Sequence, residues 1–327
     1  MVEVAVEEKN LKLPKTKCDS CGKIIRKGDY RLICTQCNHV AHNFDECCYM
    51  RPRAERESHA RNNTWRCDRC IRNDPPDCLP FDKDLSSNDF VILQWNANRI
   101  YSKISELTTR AVNLKADVLI IQESCLKGTD RPPYIKGYKA EGRNRPSGGS
   151  GGGLISYIRN GLVFNKIEIK DLEKGIEAMA VSVRQYERTR LNITNVYIPP
   201  SVKPAKFSET ALDKLIISST YGTRSIIAGD FNAHNKLWDM NSKEDKKGLN
   251  LINWINRKEL CVKNDKVVPT RKGYRNQQNT SPDVTMVTKE IEKYTIWSVD
   301  ETLESDHFPI IIRVKPPRTS STVTIES

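Results

Sequence analysis

A polar residue at the end of an apolar, β-branched run is aimed by the strand behind it and opened to solvent by the loop ahead. Asn96 follows FVILQW, Glu123 follows VLIIQ, Tyr197 closes ITNVY, Asp230 and Asn232 follow SIIAG, and Asp306 and His307 precede the apolar run FPIIIRV. Together they supply what metal-assisted hydrolysis of a phosphate ester needs. Carboxylates offer hard oxygens to Mg²⁺ or Mn²⁺, one acceptor takes the proton of the attacking water, and donors surround the phosphate. Any one of these residues alone reads as a cap or turn residue; the ordered set does not. His234, in GDFNAH, fits either an approach to such a site or a cap of its own turn.

A second group is built for zinc. Cys18-x2-Cys21, Cys34-x2-Cys37 and Cys67-x2-Cys70 each have the spacing that lets a tight turn set two thiolates on one tetrahedral ion. His42 and either Cys47 or Cys48 complete eight ligands, enough for two Zn²⁺. Eight of the eleven cysteines lie between Cys18 and Cys70, and residues 1–15 have no signal-peptide pattern, so metal sites in a reducing compartment are expected rather than disulfides.

The elements that must position these residues are readable from periodicity. Strands are expected at 90–95, 117–122, 153–158, 178–183, 191–198, 225–229, 284–288, 293–298 and 309–314, and helices at 102–115, 206–220 and 248–258. Many strands with few helices predict an α/β domain of packed sheets. The expected organisation is a flexible segment 1–15, a zinc module 16–74, a Pro-containing linker 75–88, the large domain 89–316 and a tail 317–327 that reads as an interdomain linker. SGGSGGG at 147–153 lacks the Lys-Ser/Thr of a Walker A motif and reads as a glycine-rich loop before a strand.

No apolar run is long enough for a membrane span. The 327 residues carry 53 Lys+Arg against 41 Asp+Glu, a formal charge of +12 that favours a polyanionic partner. Arg143, Arg145 and Arg159 flank the glycine loop, and Arg271, Lys272 and Arg275 surround another loop. Both groups are candidates for fixing a duplex backbone without reading bases.

The cysteine-rich stretch resembles a PHD finger, whose Trp two residues before the last pair corresponds to Trp65. The resemblance implies crossed ligation, with Cys18, Cys21, His42 and Cys47 (or Cys48) on one ion and Cys34, Cys37, Cys67 and Cys70 on the other. The spacing from His42 to the following Cys is longer than is usual in that family. A histone tail or chromatin is the partner such relatives suggest.

The motifs WN (95–96), QE (122–123), NVYIPP (195–200), GDFN (229–232), SPD (281–283) and SDH (305–307) resemble, in order and context, the endonuclease/exonuclease/phosphatase superfamily. Within it they are similar to the apurinic-like endonucleases of non-LTR retrotransposons. This implies a four-layer α/β sandwich of two packed mixed sheets flanked by helices. It also implies roles: Glu123 as the Mg²⁺ ligand with Asn96 and Asp306 nearby, and Asp230 aligning and deprotonating water in register with Asn232. Asp283 would hold His307, and His307 and Tyr197 would donate to the phosphate. The implied activity is nicking of double-stranded DNA in the nucleus, leaving a 3′-hydroxyl that primes a reverse transcriptase domain of the same polyprotein. An RNA or inositol-phosphate hydrolase of the superfamily, and a non-catalytic chromatin-binding protein, are the alternatives.

The zinc reading has a direct check. Native mass spectrometry should find two Zn²⁺ per chain, and separate replacement of Cys47 and Cys48 should release metal only for the true ligand, expected to be Cys47. One zinc or none would overturn it.

Overall fold

The structure is a computed structural model that describes residues 17–18, 24, 31–33, 40–42, 89–145, 151–185, 189–216, 224–275 and 277–316. Its contacts divide the chain into two units, Met1–Pro75 and Pro76–Ser327. In the smaller unit, β1 (Arg31–Ile33) pairs antiparallel with β2 (Val40–His42). Leu32 and Ala41, opposite each other, are buried, as is Cys18, which lies beside a bridge between Lys17 and Ile24. The expected ligands Cys21, Cys34, Cys37, Cys47, Cys48, Cys67 and Cys70, and the side chain of His42, lie outside the described residues. So do the expected linker over 75–88 and the tail over 317–327.

The larger unit contains two six-stranded sheets. One runs β13 (Thr295–Val299), β14 (Ile310–Val314), β3 (Phe90–Asn96), β4 (Val118–Gln122), β6 (Leu154–Arg159), β5 (Tyr138–Arg143). The other runs β11 (Leu260–Val262), β12 (Asp283–Thr288), β10 (Ser225–Asp230), β9 (Arg190–Tyr197), β8 (Glu177–Arg184), β7 (Phe164–Ile167). Each is mixed: β3 and β4 are parallel in the first, β9 and β10 in the second, and the remaining pairs are antiparallel.

Because successive side chains of a strand point to opposite faces, each central strand sorts its residues into two cores. Phe90 and Ile92 of β3, Val118 and Ile120 of β4, Leu191 and Ile193 of β9 and Ile226 and Ala228 of β10 meet in one cluster between the sheets. The intervening residues face helices. Leu93, Trp95, Leu119 and Ile121 pack with Leu107 and Ala111 of α1 (Ile104–Asn113). Val196, Ile227, Val284 and Met286 pack with Leu212 of α2 (Glu209–Asp213) and with Leu251, Trp254 and Ile255 of α3 (Lys246–Arg257). Helix, sheet, sheet and helices thus form the four layers expected. A short helix, α4 (Lys289–Glu292), follows β12.

Read along the inter-sheet face, these strands change from apolar to polar in one direction. β3 runs Phe90, Ile92, Gln94, Asn96; β4 runs Val118, Ile120, Gln122; β9 runs Leu191, Ile193, Asn195, Tyr197; and β10 runs Ile226, Ala228, Asp230. β12, antiparallel to β10, starts with Asp283 and Thr285 and reaches Val287. The inter-sheet face is therefore hydrocarbon toward one end and amide and carboxylate at the other. Buried amides are stable only when paired. Gln122 Nε2 donates to Asn195 Oδ1 at 2.7 Å across the sheets, and Asn195 Nδ2 donates to the carbonyls of Ile121 and Ile155.

Nine expected strands are present. β5, β7 and β11 were not anticipated: each is an edge strand, and their sequences YKAEGR, FNKI and LCV carry little of the alternation that a buried face imposes. Where a helix is expected over 206–220, the described residues form a 3₁₀ turn at Pro204–Lys206 followed by α2, which Ser208 caps by accepting from Ala211 N; 217–220 lie outside the described residues.

Gly229 immediately precedes Asp230 in a strand interior, with φ +153°, and a Cβ there would overlap the backbone of Val196 on β9. Gly229→Ala should destabilise the domain by about 3 kcal/mol or more in denaturant melts, since the clash is with backbone that cannot turn aside.

Candidate active site

β10 delivers Asp230 to the polar rim with Tyr197 opposite it on one side and Asp283 on the other. The other sheet delivers Asn96, paired with Gln122, and the chain turns sharply at Glu123, whose φ is +47°. At this rim one amide spans the two sheets. Asn96 Nδ2 donates to Glu123 Oε1 and to Asp230 Oδ2, both at 2.9 Å, while Asn96 Oδ1 accepts from Asn98 N at 3.1 Å.

Asp230 is held at both oxygens. Oδ2 accepts from Asn96, and Oδ1 accepts from the backbone N–H of Asn232 at 3.0 Å. Asn232, at φ +45°, uses its own Nδ2 on the Ile198 carbonyl, which ties this loop to the end of β9. Burial pushes the Asp230 carboxyl up to about 7, with the Asp283 charge adding to the shift and the His307 charge and the Asn232 N–H opposing it.

His307 shares Asp283. Its Nδ1 lies 2.8 Å from Asp283 Oδ2, which also accepts from Thr270 Oγ1 at 2.7 Å, and Gln94 Nε2 reaches Asp283 Oδ1 at 3.4 Å. The backbone of His307 is fixed by Trp95 Nε1, which donates to its carbonyl at 3.0 Å, and by Ser305 Oγ. Burial alone lowers the imidazole pKa, but Asp283, Asp230 and Asp306 outweigh it and hold it up at about 9. The ring is thus cationic at neutral pH, with Nδ1–H directed to Asp283 and Nε2–H left 3.9 Å from Asp230 Oδ2.

Tyr197 is buried, and its hydroxyl hydrogen-bonds to Glu123. Burial, Glu123 and Asp230 all raise its pKa, so it remains a donor. Asn96, Glu123, Tyr197, Asp230, Asn232 and His307, with Asp283, therefore form one connected cluster. Asp306 stands apart: its carboxylate meets Arg271 Nε at 3.1 Å and Asn98 Nδ2 at 3.5 Å. Burial would raise its pKa, yet His307 and Arg271 hold it low.

Two groupings of carboxylates bear on a metal. Asp230, Asp283 and His307 offer ligand atoms within 4.8 Å of one another. Yet His307 is cationic and its Nδ1 is bonded to Asp283, so that trio suits proton handling better than ligation. Glu123 is only part-buried and holds the carboxylate oxygens that a hard cation prefers.

The remaining candidates separate. The described contacts of His234 are through its backbone, which exchanges hydrogen bonds with Asp245, the N-cap of α3, as the turn reading expects. Arg159 lies at the opposite rim, donating Nε and Nη2 to buried Asp117 ahead of β4, which removes it from the rim that bears Asp230. Arg143, an exposed residue, donates Nη1 to the Ala178 carbonyl, and Arg145 pairs with Glu177. Arg271 bridges to the His307 backbone, Lys272 N donates to the Asp306 carbonyl at 2.7 Å, and Arg275 lies against exposed Tyr274. The residues not anticipated are Gln94 and Glu177. Gln94 was legible in principle, two positions before Asn96 and therefore on its face; Glu177 carried no such signal.

Known proteins place this geometry. Residues 191–311 match the family model described as Endonuclease-reverse transcriptase. The chain is 28% identical over 227 residues to the probable RNA-directed DNA polymerase from transposon X-element of Drosophila melanogaster, covering 68% of this chain and 24% of that protein. It is 27% identical over 240 residues to the counterpart from transposon BS of the same organism, covering 71% and 25%. It thus spans about a quarter of the length of these relatives. Among solved structures it resembles the endonuclease domain of TRAS1, a telomere-specific non-LTR retrotransposon (TM-score 0.57, 21% identity, 69% of this chain and 98% of that one). It also resembles the AP endonuclease LMAP from Leishmania major (TM-score 0.58, 15% identity, 70% and 88%).

Two outcomes follow from the buried charges. Asp230→Asn should raise the melting temperature at pH 8, because a carboxylate whose pKa is raised by burial costs stability once ionised. His307 has a folded pKa of about 9 against 6.5, so its contribution is complete below pH 6.5 and is lost as pH rises through about 9. The melting difference between wild type and His307→Gln should therefore be larger at pH 6 than at pH 10.

The chain thus has the fold of these endonuclease structures, and it is similar in sequence to the Endonuclease-reverse transcriptase family model, over residues 191–311, and to the polymerases of two transposons.

Proposed function

We propose that this protein nicks one strand of double-stranded DNA by divalent-cation-assisted hydrolysis, leaving a 3′-hydroxyl. The observation that carries the reading is the pairing of Asp230, an aligned acceptor, with His307, a cationic donor whose free Nε2–H lies 3.9 Å away without being bonded to it. A hydrolytic site needs an acceptor for water and a donor for phosphate side by side yet unquenched by each other.

Glu123 would hold Mg²⁺ or Mn²⁺, with Asn96 and Asp306 nearby. When bound, the cation neutralises charge on the phosphate and on the departing 3′-oxygen. Asp230, fixed by Asn96 and Asn232, aligns a water with phosphorus and takes its proton as the new P–O bond forms and the P–O3′ bond breaks. The 3′-oxygen leaves and is protonated by solvent. His307 Nε2–H and the Tyr197 hydroxyl donate to the non-bridging oxygens, where charge accumulates. Asp283 and Thr270 keep the imidazole turned for that task.

The exposed basic loop of Arg271, Lys272 and Arg275 would supply backbone contacts to the duplex. The names of the relatives, polymerases of transposons, support a role in which the 3′-hydroxyl primes reverse transcription by a further domain, in the nucleus where chromosomal DNA lies.

The test is nicking of supercoiled plasmid with and without Mg²⁺, alongside poly(A) and inositol phosphates as competing substrate classes. Asp230→Asn and His307→Ala should each lower the single-turnover rate at saturating enzyme by about a hundredfold, near 3 kcal/mol of transition-state stabilisation. Duplex affinity should change far less. Near-normal nicking by either folded variant would remove that residue from the mechanism.

A further inference from the structure

Beside the proposed site lies a part-buried ion pair that the reaction itself does not require. Glu177 opens β8 directly opposite Tyr197 of β9. One of its oxygens meets Arg145 Nε, and the other accepts from Gly153 N at 2.7 Å. The guanidinium of Arg145 lies over the Tyr197 ring, 5.7 Å from its centroid. The backbone of Arg145 is anchored too, its carbonyl accepting from Gly128 N at 3.2 Å. Gly152, at φ +71°, lets the chain pass where a Cβ would collide with both Arg145 and Glu177.

From these contacts we infer that Arg145 and Glu177 are positioning residues for Tyr197. The inference rests on the reading of Tyr197 as a donor to the phosphate. Glu177 fixes the cation, the cation holds the face of the ring, and the ring angle decides where the hydroxyl points. The glycine loop has a matching purpose: Gly153 N donates to Glu177, and Gly152 leaves room for the pair. Arg145 would then act through the ring rather than by binding DNA, its Nε being already spent on a buried carboxylate. A donor misplaced by a fraction of an ångström loses much of its value in the transition state, whereas ground-state binding spread over many contacts does not.

The experiment compares Arg145→Met, Arg145→Lys, Glu177→Gln and Tyr197→Phe in the full chain. It measures single-turnover nicking at saturating enzyme, duplex Kd, and the dependence of Kd on salt. Arg145→Met and Glu177→Gln should each slow nicking by about tenfold, with Kd and its salt slope unchanged. Arg145→Lys, which keeps the cation, should recover part of the loss. In a Tyr197→Phe background, Arg145→Met should cost less than about twofold more, since its effect passes through the missing hydroxyl. A weaker Kd with a salt slope reduced by about one, and an unchanged saturated rate, would make Arg145 a phosphate contact and overturn the inference. Full-rate nicking by Tyr197→Phe would instead refute the reading of Tyr197 as a donor. A slow Tyr197→Phe beside fast Arg145→Met and Glu177→Gln would leave that reading intact and sink the positioning role alone. If Arg145→Met does not fold, Arg145→Lys and Glu177→Gln decide the matter by the same measurements.

Discussion

The amide of Asn96 is the joint on which the rim of this domain depends. Glu123 and Asp230 belong to opposing sheets and carry like charge, so bringing them close in a poorly solvated place is unfavourable unless donors stand between them. One NH₂ group with two N–H bonds meets both at 2.9 Å. Losing it would free the two carboxylates to repel and would remove the polar link between the sheets nearest the chemistry. An aspartate at this position would add a third negative charge in place of the donor, and an aliphatic residue would leave two acceptors unpaired.

Behind that joint, the amides of the inter-sheet face are paired across the gap between the sheets. Gln122 and Asn195 link the sheets one step further in, and Gln94 supports Asp283 from across the gap. Such pairs also specify register, because sliding a strand by one residue would put an amide against hydrocarbon and a branched side chain into the rim. The hydrocarbon end supplies the hydrophobic stabilisation that lets the other end keep a desolvated aspartate and a cationic histidine together.

Net charge and usable charge differ here. Arg143 donates to a carbonyl, and Arg145 and Arg159 pair with carboxylates. Arg271 is paired with Asp306, while Lys272 and Arg275 are exposed. The chain-wide excess of +12 already counts the carboxylates of these pairs; what the pairs decide is where positive charge is locally balanced, at Arg145, Arg159 and Arg271.

How much of this was legible beforehand depended on how local each signal was. The central strands and the residues at their ends could be read from the chain because burial on both faces writes long β-branched runs, and because a strand end fixes the direction of the next side chain. Of the four edge strands only β13 could be read in this way; β5, β7 and β11 could not, since an edge exposes too much surface to impose a pattern. The roles within the cluster needed the tertiary structure. Nothing local says that His307 and Thr270 share one oxygen of Asp283, that Asp306 turns to Arg271, or that Arg159 lies at the far rim beside Asp117. Residue type and spacing determined which groups the protein has for chemistry. The packing of two sheets decided which of them meet, because hydrogen bonds and charge effects fall off within a few ångströms, a distance that the sequence alone does not contain.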